Sequence, residues 1–327
     1  MDDLLYDVPG SSGIVNCPLL LIQVTRLLCG GFTVAIRFNH TMCDGPGFIQ
    51  FLTAVSEIAC GVCVPSIRPI WKRELLSARN PPQVSCEHHI YQELPDSKGT
   101  PLLDDMVQAQ SSFFFGPEDI AVLRSQVPPH LRKCSRFEII SACLWRCRTM
   151  ALSLNPNDEV RLACIVNSRT ILNPPLPVGF YGNAFGFPVA RSTAGKLCQN
   201  PLGYALELVK KAKADGTEEF MRSTADLLVE KGRLQYVVER TYIISDVTRL
   251  GFTDIDFGWG KPVFSGPTGA MPLEASIFVP LQNKKGENGI VATINLPTPF
   301  MVKLFREIEE MIKEPSSRNL SSIRSSL

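Results

Sequence analysis

Residues 32–60 read FTVAIRFNHTMCDGPGFIQFLTAVSEIAC, and this stretch contains the pattern of a strand, a loop and a helix in succession. In its first part, apolar side chains alternate with small or polar ones, which is the period of a strand with one buried face. From residue 46 to 60, apolar residues recur at helical spacing. The joining segment NHTMCDGPG, residues 39–47, therefore places His40 after a strand and Gly45 at the start of a helix.

His40 has two interpretations that the local sequence leaves open. The apolar face of the strand consists of the even-numbered residues 32 to 38, and residue 40 is the next even position. If the strand extended this far, the imidazole would therefore point inward. There it would be either a hydrogen-bonded core histidine or a general base, because neutral imidazole titrates near pH 7 and accepts a proton from a hydroxyl or thiol. Asp44 stands just before Gly45 and Pro46, where an aspartate caps free N–H groups, so we expect it to shape the loop.

Around this stretch, strands and helices alternate, which indicates an α/β fold. Residues 19–28 and 32–39 are predicted to form a hairpin. The proline-rich residues 64–108 are predicted to form a surface connection, in which His88 and His89 would be solvated. The later elements are predicted as strands at 113–115, 159–169, 241–248, 275–282 and 289–297, and as helices at 120–127, 134–152, 203–214, 224–232 and 299–314.

The composition is that of a globular protein and gives no sign of nucleic-acid binding or of a membrane-spanning segment. The chain has 327 residues, of which 45% are hydrophobic, and a length that suggests two domains. A net charge of +1 gives no global field that would attract nucleic acid or a membrane surface. The most apolar stretch, residues 17–36, is interrupted by Arg26 and two glycines, so no transmembrane segment is predicted.

The chain contains 11 cysteines, whose spacing matches no zinc motif. The acidic start MDDLLYDVPG lacks the basic region of a secretory signal. We therefore expect reduced thiols in a cytoplasmic protein. The CGVC of Cys60 and Cys63 is interpreted as two thiols at a helix end rather than a redox pair, because no thioredoxin-like βαβ unit surrounds it.

A second stretch, DFGWGKP at residues 256–262, contains two glycines that flank a tryptophan. Such a sequence loses much backbone entropy when it is ordered. Alone, it predicts no more than a turn in which Trp259 packs as an anchor. The chain has no G-x-S-x-G elbow, phosphate-binding P-loop, H-E-x-x-H site or dinucleotide fingerprint, so the common chemistries that use these motifs are not indicated.

HTMCDG at a strand end, followed far downstream by DFGWGKP, resembles the plant BAHD acyl-CoA-dependent acyltransferases. Both motifs of that family, HxxxD and DFGWG, are intact here. The segments ACLWRCRT, VNSR and PVGFYGNAF are also similar to the family, and the likeness covers essentially the whole chain. Within the family the chain looks most like the fruit and flower alcohol acyltransferases, in the branch that includes benzyl alcohol benzoyltransferase.

The resemblance implies a fold of two chloramphenicol-acetyltransferase-like domains, with the first only partly present. Residues 1–69 would be a remnant of the first domain that carries HxxxD, 70–100 the crossover connection, and 101–327 the second domain, which carries DFGWG. In the family the HxxxD motif lies well inside the first domain, whereas His40 is close to the start here. We therefore expect the remnant to be poorly supported and the second domain to hold together.

The resemblance also implies an acyl-CoA-dependent alcohol O-acyltransferase, which transfers an acyl group, from acetyl to benzoyl, to an alcohol. His40 would be the general base. Asp44 would point away from the substrate and pair with an arginine, for which Arg169 is the candidate. Asp256 is often called catalytic in this family, but we expect a mainly structural role. Trp259 would help to line the channel, and the remaining loop residues would shape the two motifs: Gly45, Phe257, Gly258 and Gly260.

The phosphates of CoA require positive charge and N–H donors. The candidates, each of which is otherwise an ordinary solvated residue, are Lys133, Ser135, Arg136 and Arg169. The resemblance implies acyl-CoA as a co-substrate, with no permanently bound cofactor and no metal, and a monomer whose other partner is a small-molecule alcohol. Two alternatives stay open: a catalytically inactive fragment of such an enzyme, and a hydrolase that uses His40, although no partner nucleophile motif is present.

Overall fold

The computed structural model describes residues 4, 8–11, 15–92, 106–232, 234–267 and 274–313. The chain divides into two units, each assembled from several segments. The first unit contains residues 1–75, 176–184 and 254–261, and the second contains residues 76–175, 185–253 and 262–327. Two short segments from later in the chain thus join the unit that carries His40. The domain boundaries predicted at residues 69 and 101 stay a prediction.

A hairpin and one helix form the regular part of the first unit. Strands β1 (Leu20–Arg26) and β2 (Phe32–Phe38) pair antiparallel, with Leu20 opposite Phe38. Helix α1 (Gly45–Ala59) follows after a short loop. The predicted hairpin and helix are confirmed, and each strand is slightly shorter than predicted.

One face of this hairpin, the face turned toward α1, is apolar and partly exposed. Ile22 and Val24 are 50% and 61% exposed. Together with side chains from α1 and residues 254–261 they line an apolar groove of about 270 Å³. The described part of this unit therefore leaves apolar strand surface open to solvent.

The second unit contains a mixed sheet of six strands within the described residues, in the order β3-β10-β9-β8-β4-β7. These strands are β3 (Gln108–Phe115), β4 (Glu159–Cys164), β7 (Val189–Thr193), β8 (Thr241–Asp246), β9 (Ala275–Gln282) and β10 (Asn288–Pro297). The central pairs β4–β8 and β8–β9 are parallel, and the outer pairs are antiparallel. Two further strands, β5 (Val166–Asn167) and β6 (Phe185–Gly186), pair as a separate short ribbon.

Six helices accompany the strands in the described part of this unit. They are α2 (Pro117–Ser125), α3 (Arg136–Leu152), α4 (Ala194–Gln199), α5 (Leu202–Asp215), α6 (Glu218–Glu230) and α7 (Thr298–Ile312). All but α6, which packs against β6, contribute to the hydrophobic core. Helix α3 is buried on nearly all sides, because α5 and α7 both pack against it. Its Ile140 and Leu144 are fully buried, and Trp145 is nearly so. This helix is the centre of the unit's hydrophobic core.

Most of the elements predicted for this unit are confirmed, but β3 begins at Gln108 and α6 at Glu218, several residues before the predicted starts at 113 and 224. Other elements need three further corrections. The strand predicted at 159–169 ends at Cys164 and is followed by the short β5. The helix predicted at 120–127 begins earlier, at Pro117, because Gly116 and Asp119 form a capping arrangement before it. Strand β7 and helix α4 were not predicted at all.

The connection after residue 75 is anchored to α6 by buried polar groups. The backbone N–H and the Nε of Arg79 donate to the fully buried Asp226 at 2.7 and 2.6 Å. The backbone N–H groups of Ser85 and Cys86 donate to Ser223 Oγ at 3.1 and 3.0 Å. The segment described up to residue 92 is therefore not a loosely solvated loop, and residues 93–105 lie outside the described ranges.

His88 is buried, so the prediction of a solvated histidine was wrong. Its Nε2 lies 2.9 Å from Ser223 Oγ, which already accepts two backbone N–H groups and therefore donates its own proton to the ring. The Nδ1–H tautomer then faces Thr224 Oγ1 at 3.3 Å. Burial, followed by the neighbouring His89, lowers the pKa of His88.

Candidate active site

The loop between β2 and α1 begins with a tight turn at Asn39. The Asn39 Oδ1 accepts hydrogen bonds from the backbone N–H of Thr41 at 3.1 Å and from its hydroxyl at 2.7 Å. The Met42 N–H donates to the carbonyl of Asn39 at 3.0 Å. This turn ends the strand at Phe38, so the strand does not run as far as residue 40, which an inward-pointing imidazole would require. His40 lies in the turn and is exposed.

Aromatic packing supports the ring of His40. Its centroid lies 5.9 Å from that of Phe38, and Phe38 stacks on Phe48 of α1 with centroids 4.5 Å apart. The imidazole is therefore held next to the place where β2 and α1 meet. An exposed histidine in this position is accessible to a substrate hydroxyl, which a core histidine would not be.

Three successive carbonyls of this loop accept hydrogen bonds from side chains. Asn183 Nδ2 donates to the carbonyl of His40 at 2.7 Å. Arg73 donates from Nη2 to the carbonyl of Met42 at 2.7 Å and from Nη1 to that of Thr41 at 3.4 Å. Sequence reasoning assigned no role to Arg73 or Asn183, although Asn183 lies in the PVGFYGNAF segment that carried part of the resemblance.

Asp44 closes the other end of the loop. Its carboxylate, 3% exposed, caps α1 by accepting from the backbone N–H of Gly47 at 3.1 Å. Its second oxygen accepts from the N–H of Ala184 at 3.0 Å. The cap that the sequence predicts is present. The pairing with Arg169 stays a prediction; Arg169 donates from its own N–H to Asn167 Oδ1 at 3.0 Å.

The start of α1 lies against residues 176–184. A Cβ added at Gly47 would stand 2.0 Å from the carbonyl oxygen of Tyr181, so only glycine permits this approach. Gln50, one turn on, donates from Nε2 to the carbonyl of Gly179 at 3.1 Å. The second glycine of DGPG is therefore a packing residue as well as part of the helix start.

The DFGWG loop is organised by Asp256. Its Oδ1 accepts from the N–H groups of Gly258 and Gly260 at 2.8 and 2.9 Å. Both glycines have positive φ, +96° and +100°, which L side chains rarely adopt. Trp259 packs edge-on against Phe32 with ring centroids 5.3 Å apart and remains 79% exposed.

The two motifs lie at opposite ends of the same strand and helix. The DFGWG loop contacts Phe32 at the beginning of β2 and Cys60 just after α1, where the Cys60 thiol faces the carbonyl of Asp256 at 3.6 Å. The His40 loop lies between the end of β2 and the beginning of α1. Seven residues of strand and 15 of helix each extend about 20 Å. The described contacts of Asp256 and Trp259 are with backbone N–H groups and an aromatic ring of the same unit. The structural role of Asp256 and the channel role of Trp259 stay predictions.

Three of the four CoA candidates come together at the start of α3. Lys133 and Arg136 are exposed there. The hydroxyl of Ser135 accepts from the Glu138 N–H at 3.2 Å, and the Glu138 carboxylate accepts from the Ser135 N–H at 2.8 Å. Ser135 is thus the N-cap of a capping box.

The electrostatics of this helix start favour an anion. Burial alone would raise the pKa of Glu138, but hydrogen bonds from Lys213 and Ser135 outweigh it and lower the pKa, so the carboxylate stays ionised and paired. Lys133 and Arg136 keep their charges exposed beside the positive end of the α3 dipole. Arg169, the fourth candidate, lies on a different segment, just after β5.

No group of three or more histidine, cysteine, aspartate or glutamate side chains in the described ranges is placed to hold a metal ion. Across the same residues, no helix combines the length and apolar character required to cross a bilayer. The 11 cysteines, which all lie in described segments, form no disulfide.

A family model described as the Transferase family, which comprises the BAHD acyltransferases, matches residues 1–311. This chain belongs to that family. The two BAHD motifs therefore lie in a chain whose similarity to the family extends well beyond them.

Curated relatives fall in the alcohol-acylating part of the BAHD family. The chain is 60% identical to "Benzyl alcohol O-benzoyltransferase" of Petunia hybrida over 96% of its own length and 69% of that protein. It is 61% identical to the protein of the same name from Nicotiana tabacum, over the same shares. It is 51% identical to "Alcohol acyl transferase 2" of Malus domestica, over 99% of its length and 72% of the relative.

Solved structures support the BAHD fold. Vinorine synthase matches with a TM-score of 0.67 at 21% identity, over 90% of this chain and 66% of that structure. F. graminearum TRI101, crystallised with coenzyme A and deoxynivalenol, matches with a TM-score of 0.67 at 16% identity, over 88% of this chain and 68% of that one. The mixed α/β fold expected from the sequence is thus confirmed. The chain spans about two thirds of the length of these proteins.

Proposed function

We propose that this chain is an acyl-CoA-dependent alcohol O-acyltransferase in which His40 is the general base. The observation that carries the proposal is an exposed imidazole on a loop whose backbone is fixed at three successive carbonyls. The similarity to a benzyl alcohol O-benzoyltransferase and an alcohol acyl transferase supports alcohols as acceptors and acyl groups, benzoyl among them, as donors. We propose a donor range from acetyl to benzoyl.

In the proposed reaction, His40 removes the proton from the acceptor hydroxyl. The alkoxide oxygen attacks the thioester carbonyl carbon, forms the new C–O bond and leaves a tetrahedral oxyanion. Collapse of that intermediate breaks the C–S bond. The CoA thiolate leaves and takes the proton back from the imidazolium, so the products are an ester and free CoA, and His40 is neutral again.

The start of α3 is proposed to hold the phosphates of CoA. Lys133 and Arg136 offer exposed positive charge beside a helix N-terminus, which suits a phosphate group. Arg169 is proposed either to join them or to pair with Asp44. The crystallised complex of TRI101 with coenzyme A supports acyl-CoA as the co-substrate.

Asp44 and Asp256 are proposed to act on the structure of their loops rather than on the substrate. Each carboxylate accepts two backbone N–H groups. We also propose a cytoplasmic location, which free thiols suit, and a monomer, as the family resemblance implies.

The test is formation of ester and free CoA by the purified chain, supplied with acetyl-CoA or benzoyl-CoA and with benzyl alcohol or hexanol. His40→Ala is the test variant. His130→Ala is its control, because His130 is exposed in the second unit beside Glu207. Ester from the parent and the control, but not from His40→Ala, is the expected result.

A chimera is tested in parallel. It consists of this chain joined to the part of the Petunia hybrida relative that has no counterpart in the alignment. If only the chimera makes ester, the chain supplies the catalytic histidine but needs the added residues for activity. If neither makes ester, the proposed alcohol acylation is ruled out for these four substrates.

A further inference from the structure

We propose that Arg73 and Asn183 are positioning residues, which set the direction of the His40 imidazole by holding the backbone of its loop. The catalytic consequence of this inference rests on the proposed function, but the geometric part does not. Neither residue belongs to HxxxD or DFGWG, and neither was a candidate from the sequence.

The contacts are consecutive and come from distant parts of the chain. The carbonyls of residues 40, 41 and 42 accept in order from Asn183 Nδ2, Arg73 Nη1 and Arg73 Nη2, at 2.7, 3.4 and 2.7 Å. Asn183 is 143 positions away from His40, and Arg73 is 31 positions away from Met42. A run of loop carbonyls held by remote side chains fixes the orientation of each peptide plane in turn.

The orientation of those planes determines where the imidazole points. The carbonyl held by Asn183 belongs to His40 itself, so this bond restricts the residue's own ψ, and the next two bonds restrict the peptides that follow. The side chain of an exposed loop residue would otherwise sample several rotamers and backbone states. A base that is already oriented lowers the activation free energy, because its conformational entropy does not have to be lost in each turnover.

Arg73 is itself held in place. Its guanidinium carbon lies 3.8 Å from the ring centroid of Trp71, and Trp71 lies 5.2 Å from the ring of Tyr181. The planar guanidinium reaches two carbonyls at once, which a lysine ammonium on a flexible stem does less well. Tyr181 and Asn183 belong to one short segment, so the two positioning residues share a common support.

These bonds are distinct from those that simply close the loop. Asn39 makes the first turn and Asp44 caps the helix, so both ends of the loop are already fixed. Gln50 makes a comparable side-chain bond, at 3.1 Å, to the carbonyl of Gly179. It offers a matched control, because it donates to a backbone carbonyl of the same unit without contacting residues 40–42.

The first experiment reads the position of the ring without using activity. The full chain is labelled with ¹³C at histidine Cε1, and the His40 resonance is assigned by its loss in His40→Ala. The test variants are Arg73→Met, which keeps the stem, and Asn183→Leu, which keeps the size. We expect the His40 resonance to shift or broaden in both and to match the parent in Gln50→Leu.

The second experiment uses ester formation at equal folded fraction. We expect kcat to fall about 10- to 100-fold in Arg73→Met and Asn183→Leu, while KM for acyl-CoA changes less than about 3-fold. Arg73→Lys should recover part of the loss, because it keeps the charge and one donor. Gln50→Leu should stay within about 2-fold of the parent.

The outcomes separate the two proposals. A His40 resonance that is the same in the parent, Arg73→Met, Asn183→Leu and Gln50→Leu would overturn the positioning role, whatever the activity. If Arg73→Met fails to fold, the resonance of Arg73→Lys and of Asn183→Leu decides. A resonance that responds as expected, in a chain that makes no ester, supports positioning and counts against the proposed reaction.

Discussion

The buried carboxylate of Asp44 accepts a hydrogen bond from the backbone N–H of Ala184, which lies 140 positions further along the chain. Its other oxygen caps α1 through Gly47. One side chain therefore fixes the start of the helix and attaches it to residues 176–184. We therefore expect the aspartate of HxxxD to act through the structure of its loop.

Replacing Asp44 with serine or alanine separates these two bonds. Asp44→Ser keeps an N-cap for Gly47 but is too short to reach Ala184, whereas Asp44→Ala loses both. We expect alanine to cost about 1 kcal/mol for the cap and a further 1–3 kcal/mol for the unsatisfied Ala184 N–H. Urea unfolding measures both variants. Losses under about 0.5 kcal/mol for each would show that the bonds contribute little.

A methyl group at Gly47 should be destabilising, although alanine is normally the better helix residue. Its Cβ would lie 2.0 Å from the carbonyl oxygen of Tyr181, so backbone has to move. We expect Gly47→Ala to lower the free energy of unfolding by about 1–3 kcal/mol. Gly31→Ala is the control, since its Cβ would meet only Cys29 Sγ at 3.7 Å. Equal stability of the two variants would contradict the close approach.

The DFGWG loop should respond as a structural element. Gly260 has φ of +100° and nothing within 4 Å of an added Cβ, so Gly260→Ala introduces backbone strain of about 1–2 kcal/mol and no clash. Gly286→Ala, at φ of +83° in the second unit, carries matched strain. We expect ester formation in Gly260→Ala to fall only as folded protein is lost. A loss above tenfold at full folding would instead place this loop in the chemistry.

Acid should destabilise the second unit through His88. Burial lowers the pKa of His88 in the folded chain, while the unfolded chain takes up the proton at its ordinary pKa, near pH 6.5. Below that pH the unfolded state binds more protons, so the stability that is present above about pH 6.5 is lost as pH falls. The slope for one group does not exceed about 1.4 kcal/mol per pH unit.

Urea unfolding at pH 7.5, 6.5 and 5.5 tests this. The parent should lose more stability across the series than His88→Gln, which keeps a polar partner for Ser223. His130→Gln is the control, because His130 is exposed in the second unit beside Glu207, whereas His89 itself influences the pKa of His88. A parent and His88→Gln with the same pH dependence would exclude His88 as the cause.

Long or strongly patterned elements could be predicted from the sequence. The length and apolar content of helix α3 and strand β10 are typical of a buried helix and a buried strand, so both were found from their sequences. Strand β7 was missed because its buried face carries Ala190 and Ser192, which show no hydrophobic alternation. Its place in the sheet comes from pairing with β4, which no local pattern reveals.

The environment of the histidines could not be predicted for a similar reason. The direction of His40 depends on the turn made by the side chain of Asn39, because this turn ends the strand at Phe38, two residues before His40. The burial of His88 depends on Ser223 and Thr224, more than 130 positions away. Arg73 and Asn183 likewise meet the loop only in the folded chain, so their sequence context gives no sign of the contact.

The position of both family motifs on one strand and one helix changes what their joint presence in a sequence indicates. HxxxD marks the junction of β2 and α1, and DFGWG packs at the far ends of the same pair, against Phe32 and Cys60. The two motifs therefore report on one packed strand and helix, rather than on two separate parts of the chain. Their joint presence in a sequence indicates that packing, and catalytic activity has to be measured separately.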